Sequence, residues 1–395
     1  MRRVRSTALL LLTAFLLSGC RLIDLESEFE HDARMQAQVL DQSADLFADI
    51  DPLYISDALK RRLDEFIGNA RDDRTRVELL QEFLYDESQL GIVYSGERTH
   101  TAMELVEARS GNCLSAMNLY VALARYLGVE ARFQRVDVRP SWDKRGGLLV
   151  LSQHINATGR FERTVRYVAD FTPEIALQQL TSQVIDDTEA RALYFNNLGV
   201  EQLVAGNYPL ATRYFKNALY LQPSNEIAWN NVGAAYSRLG RLDLAEYSYR
   251  QAYALDAGSS TAISNLAKFY RAQGNAEKAR EYDAAIERFN LSNPYFHFAQ
   301  GHIAYQRGDL GEARRAFEEA LRLKDAEPDF YLALQKVVFE QGDLAEARRL
   351  RRAAADLLGQ NDEIYRPSDA RLRVLGRESG LGTRVDEPRL IMVPK

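Results

Sequence analysis

The stretch AGNYPLATRYFKNALYLQP, residues 205–223, decides the architecture of the C-terminal half of the chain. Gly206 is followed by Asn207, with Ala211 five positions beyond the glycine. The same pattern returns at Gly240, Gly274, Gly308 and Gly342, each 34 residues after the last. Asn, Arg or Asp follows every one of these glycines, and Ala245, Ala279, Ala313 and Ala347 repeat the alanine. A fixed period of this length marks a stacked array whose unit is a pair of antiparallel helices. Glycine turns the chain between the two helices, and small residues at Gly199, Gly233, Ala267 and Gly301 let them approach closely. Phe215, Trp229, Tyr236, Tyr249 and Phe317 fill the remaining space. In the third and fifth units Asp283 and Arg351 stand where the others place an aromatic. Those two hairpins are expected to be looser, with the last as the solvent-facing cap. Residues 192–361 are thus read as five tandem hairpins suited to holding a protein or peptide in their groove.

Upstream the pattern changes. Residues 56–68 and 72–86 carry apolar side chains at helical spacing (Leu59, Leu63, Phe66, Ile67, then Val77, Leu80, Phe83, Leu84). A short helix is expected over 101–108 and a strongly apolar one over 114–127, stopped by Gly128. Strands follow at 129–138, 148–155 and 164–171, with a turn at Asn156 to Arg160 containing Gly159. A helix preceding an antiparallel sheet makes residues 56–175 an α+β domain. Residues 20–55 read as a polar tether ending in a short helix, 176–191 as a helical connector, and 362–395 as an irregular tail.

There are two cysteines, Cys20 and Cys113. Gly111-Asn112-Cys113 opens the apolar helix, so the thiol faces the positive end of the helix dipole and neighbouring backbone N–H groups are free to donate. Of the five histidines, His31 lies in the tether and His297 and His302 in the repeats, which leaves His100 and His154. His154 ends one strand-like run and Asp170 ends the next. Adjacent antiparallel strands can set imidazole and carboxylate side by side, the arrangement that activates a thiol. His100, the rival base, sits in a polar turn with no carboxylate strand behind it.

The segments Thr101-Ala102-Met103-Glu104, 109–113 (RSGNC) and 122–132 (ALARYLGVEAR) resemble the core of the bacterial transglutaminase-like family. The repeat pattern resembles the tetratricopeptide repeat. The first resemblance covers about 70–175 and implies Cys113, His154 and Asp170 as a catalytic triad, with Asp170-Phe171-Thr172 fitting the family's Asp-x-Thr ending. One position departs: the family often has His-Ala-Trp, and here the residues are His154-Ile155-Asn156. The fold class expected is therefore an α+β transglutaminase-like, papain-like cysteine domain followed by an all-α tetratricopeptide-repeat solenoid.

The first nineteen residues stand apart from the fold. Arg2, Arg3 and Arg5 precede an apolar run, Ala8 to Leu17, that is too short to span a bilayer. Leu17-Ser18-Gly19-Cys20 resembles the bacterial lipoprotein signal. That implies cleavage before Cys20, a lipid anchor on it and, with Arg21 rather than Asp following, the outer membrane facing the periplasm. Cys113 would then be the only free thiol in an oxidising compartment, which usually pairs or avoids cysteines. The formal net charge is −6 with no clustered positive face, so nucleic acid is not an expected partner. No phosphate loop, His-Glu-x-x-His, calcium loop or CxxC occurs, and no metal or cofactor is expected. Two functions remain open: a thioester-forming peptidase, amidase or transglutaminase, or a degenerate scaffold that only binds peptides.

Overall fold

Helix α5, Cys113–Tyr126, is mostly apolar, and ten of its residues, from Leu114 to Ala124, are buried. A helix of that kind belongs at the centre of a domain. The computed structural model, which describes residues 32–96, 98–138, 142–145, 148–151, 154–161, 165–171, 179–256, 260–360 and 372–377, puts it there. Two helices pack against it, α3 (Asp73–Tyr85) and α4 (Ala102–Ala108), and α2 (Asp57–Ile67) packs on α3. Each start is set by a local cap. Ser56, Asp72 and Thr101 accept a first-turn backbone N–H, and Thr101 forms a reciprocal capping box with Glu104.

Against α5 packs a five-stranded antiparallel sheet of order β8-β3-β6-β7-β9. Its strands are β3 (Arg132–Val138), β6 (His154–Phe161), β7 (Val165–Ala169), β8 (Gln179–Ile185) and β9 (Leu372–Arg377). A parallel pair, β1 (Val93–Tyr94) and β2 (Ser110–Gly111), lies just before α5, and β4 (Trp142–Arg145) pairs with β5 (Leu148–Leu151).

Four expectations need correction. The span 148–155 is not one strand: β5 ends at Leu151 and β6 begins at His154. The segment 156–160 is not a turn but the body of β6. Gly159 is there because a Cβ would lie 1.8 Å from the Glu130 carbonyl oxygen and 2.7 Å from the Tyr167 ring. Residues 179–185 of the expected helical connector are β8, paired with β3, and the helix starts only at Asp187 behind its Asp186 cap. Part of the expected irregular tail, β9, returns to pair with β7 at the sheet edge.

The repeats then run as five hairpins: α6 (Asp187–Val204) with α7 (Tyr208–Leu221), α8 (Glu226–Arg238) with α9 (Leu242–Leu255), α10 (Ser260–Ala272) with α11 (Ala276–Ser292), α12 (Pro294–Gln306) with α13 (Leu310–Leu323), and α14 (Pro328–Glu340) with α15 (Leu344–Gln360). All five inter-helix glycines have positive φ, from 72° to 88°, a conformation that disfavours any side chain. Gly199 and Gly301 allow the close approach expected of them, since a Cβ would meet the Phe215 and Phe317 rings at 2.4 and 2.5 Å. Asp283 and Arg351 are exposed, and Asp283 pairs with Arg271 at 2.6 Å. The apolar core divides: one cluster runs from Val39 through the N-terminal domain to Ala285 in the third hairpin, and a second holds the last two hairpins.

Residues 33–50 lie on the first repeats. After α1 (Ala33–Val39), Gln42 Nε2 and the Leu46 N–H donate to the buried Asn217 Oδ1 at 2.7 and 3.0 Å. Arg191 pairs with Asp45 and donates to the Phe47 and Ile50 carbonyls, while Phe47 stacks on Phe195 and Tyr214. Two more ion pairs, Arg125–Asp187 and Arg135–Glu189, join the sheet domain to α6.

Candidate active site

The site begins with Gly111. A Cβ there would meet Leu105 Cδ1 at 2.7 Å and Ser115 Cβ at 3.1 Å, so a side chain could enter only by displacing the Leu105 side chain. Asn112 is the N-cap: its Oδ1 accepts the Ser115 N–H and the Ser115 hydroxyl, both at 2.9 Å. Cys113 is therefore the first residue of the helix, where its N–H and that of Leu114 have no intrahelical acceptor. Its side chain is half-buried and unpaired in any disulfide.

Strands β6 and β7 bring up the other two groups. Ala157 faces Ala169, so one step further Asn156 faces Asp170, and His154 lies on the same side of β6 as Asn156. His154 and Asp170 are both buried. His154 Nε2 lies 2.8 Å from Asp170 Oδ2 and 3.0 Å from Oδ1, and Asn156 Nδ2 donates to Oδ2 at 3.2 Å. With Nε2 engaged, Nδ1 is the ring nitrogen left for the thiol, and it is buried with no hydrogen-bond partner. Burial pulls the His154 pKa down. The Asp170 charge and hydrogen bond, joined by the Cys113 sulfur, outweigh it and push the value up to about 10. At neutral pH the imidazole is thus cationic beside the sulfur.

His154 and Asp170 are brought together, and the Cys113 sulfur acts on the His154 ring. His100 is not part of this group: its backbone N–H donates to Ser115 Oγ at 2.7 Å, and it lines a cavity on the repeat side. Thr172 and Cys20, with the signal that precedes it, lie outside the described residues. Two supports had no clear sequence signal. Asn156, noticed only as a missing aromatic, is a buried donor to the carboxylate. Phe171 stacks on Tyr85 at 5.3 Å and so fixes the chain next to Asp170. The period-two alternation of β6 puts Asn156 on the same face as His154, which the expected turn at 156–160 obscures.

Fold and site together define a two-part protein, a transglutaminase-like domain followed by tetratricopeptide repeats. The Transglutaminase-like superfamily model matches residues 60–158, a span that includes Cys113 and His154. Tetratricopeptide-repeat models match 196–260 and 294–326. Solved structures similar to the chain include PilF of Pseudomonas aeruginosa, at 22% identity over 44% of this chain and 80% of that one, TM-score 0.25. A thermophilic repeat protein of Thermus thermophilus is similar at 22% identity over 42% of this chain and 98% of that one, TM-score 0.24. YrrB, described as a repeat protein with an unusual peptide-binding site, is similar at 16% identity over 43% and 88%, TM-score 0.24. No curated protein matches the chain.

Proposed function

We propose that this protein is a cysteine-nucleophile acyl-transfer enzyme of the bacterial cell envelope whose repeats hold a protein partner or substrate. The observation that carries the reading is the buried His154–Asp170 pair, which leaves Nδ1 for a thiol at a helix N-terminus. Cys113 Sγ attacks an amide or ester carbonyl while its proton resides on His154. Charge collects on the carbonyl oxygen, next to the free N–H groups that open α5. Collapse breaks the bond to the leaving amine or alcohol, which departs with the proton from His154, and a thioester remains on Cys113. Water or an amine then attacks the thioester, His154 takes its proton, and the thiolate leaves. The triad serves hydrolysis and transamidation alike. Asp170 holds the ring orientation and balances the imidazolium charge throughout.

The test is alkylation of Cys113 across pH in the full chain. Labelling well below pH 8.5 that His154→Ala abolishes supports the enzyme. A thiol inert at every pH would sink it. A second reading, a peptide-binding scaffold without catalysis, draws on Asn156 standing where the family often carries Trp. It requires Cys113→Ala to complement a deletion strain fully. The envelope location rests on residues 17–20, and it predicts that Cys20→Ala moves the protein from the membrane to the soluble fraction.

A further inference from the structure

The network behind the nucleophile does not end within the transglutaminase-like domain. Asn112, which caps α5, donates through Nδ2 to Thr99 Oγ1 at 2.7 Å. Its N–H donates to the Arg98 carbonyl, while the His100 N–H donates to Ser115 Oγ at 2.7 Å. Segments 98–100 and 112–115 are thereby stitched together. The buried Thr99 then spends its own N–H on a group from the other domain, donating to Glu201 Oε1 at 2.7 Å. Glu201 stands near the end of α6, the first helix of the repeats, two residues past the tight Gly199 contact with Phe215. A hydrogen bond to a carboxylate is roughly twice as strong as a neutral one, and this one is partly shielded from water. Burial raises the Glu201 carboxyl above its ordinary value, while the Thr99 hydrogen bonds and the His100 and Arg98 charges oppose that rise.

Beside this contact lies a cavity of about 1170 Å³, walled by Thr99, His100 and Arg98 on one side and by Glu201, Tyr194 and Tyr214 on the other. Glu201 is thus both a wall of that cavity and the repeat domain's direct bond to the loop backing Cys113. We propose that Glu201 is a positioning residue through which the first hairpin sets the geometry of the α5 N-terminus, by way of Thr99 and Asn112. Whatever shifts α6 or fills the cavity is then felt at the thiol. The regulatory meaning rests on Cys113 being the nucleophile; the coupling itself does not.

The experiment compares full-length wild type with Glu201→Gln, which keeps a carbonyl acceptor, and Glu201→Met, of the same length without one. Amide hydrogen exchange is followed over 98–101, 112–116 and the last two hairpins, and Cys113 alkylation is followed across pH. In Glu201→Met, exchange over 98–101 and 112–116 is expected to rise roughly tenfold or more. Alkylation at pH 7 should fall several-fold and its pH profile should change, while Glu201→Gln restores both. Unchanged exchange over 112–116 in Glu201→Met overturns the proposal. So does loosening spread evenly into the last two hairpins, since Glu201 would then be a general stability residue. If 112–116 loosens selectively while the wild-type thiol is inert at every pH, the coupling stands and the enzymatic reading falls.

Discussion

Replacing Asp170 by Asn removes the charge that holds His154 protonated while keeping the size of the side chain. The carboxylate is fully buried and takes His154 Nε2 at 2.8 Å and the Asn156 amide at 3.2 Å. Without it, the leading influence left on the imidazole is burial, which favours the neutral ring. Its pKa should drop from about 10 to the ordinary 6.5 or below. A neutral imidazole no longer offers the sulfur a cationic partner. Alkylation of Cys113 by iodoacetamide at pH 7 is therefore expected to slow roughly tenfold or more. The sign of the stability change follows from the same shift. A histidine whose folded pKa lies above its unfolded one contributes stability that is complete below about pH 6.5 and lost as pH rises through about 10. Denaturant unfolding of wild type should weaken across that window, and Asp170→Asn should flatten the slope. An alkylation profile in Asp170→Asn that overlays the wild type would refute the reasoning.

Three other perturbations probe the scaffold. Gly159→Ala forces a Cβ within 1.8 Å of the Glu130 carbonyl oxygen, a backbone atom that cannot rotate away. It should cost about 3 kcal/mol or more in denaturant titration, and an unchanged midpoint would mean that β6 is not packed as described. Gly301→Ala meets the Phe317 ring at 2.5 Å, so a loss of about 1–3 kcal/mol is expected; pairing it with Phe317→Leu should recover part of that, and strict additivity of the two would contradict the contact. Arg125→Ala removes a bidentate pair with Asp187 whose side chains are 37% and 51% exposed. Screening holds the effect to about 1 kcal/mol or less, and a larger loss in thermal unfolding would show that this junction matters more than its exposure suggests.

The repeats were legible because their signal is local and periodic. A glycine forced to positive φ every 34 residues, with a small residue facing an aromatic, needs no distant partner to be recognised. The three candidate residues can be named from sequence for a related reason: a capped helix start and two strand ends each announce themselves within a few residues. What escaped depends on partners far along the chain. β8 joins the sheet only because β3 lies some fifty residues earlier, and β9 returns from beyond the last hairpin to an edge left open by β7. Residues 33–50 look like polar tether until Asn217 and Arg191 supply the acceptors and donors that hold them. Gly159 shows the same limit in one residue. Sequence offers glycine as a sign of a turn, whereas here it admits a carbonyl from a neighbouring segment.

Glu201 is the extreme case, and it bears on how the two halves work together. Nothing near it in sequence distinguishes it from any carboxylate on a helix, and its partner Thr99 lies 102 residues away. Yet the apolar core is continuous from the transglutaminase-like domain through the third hairpin. A displacement of the first hairpin cannot be absorbed by a flexible linker, because α6 starts two residues after the sheet's last β8 residue and is tied to it by Arg135. Close-packed elements shift as units. Cys113, His154 and the first three hairpins therefore share one packed core. If the coupling through Glu201 holds, a partner that displaces the first hairpin should change the alkylation rate of Cys113, and an unchanged rate on displacement would contradict it.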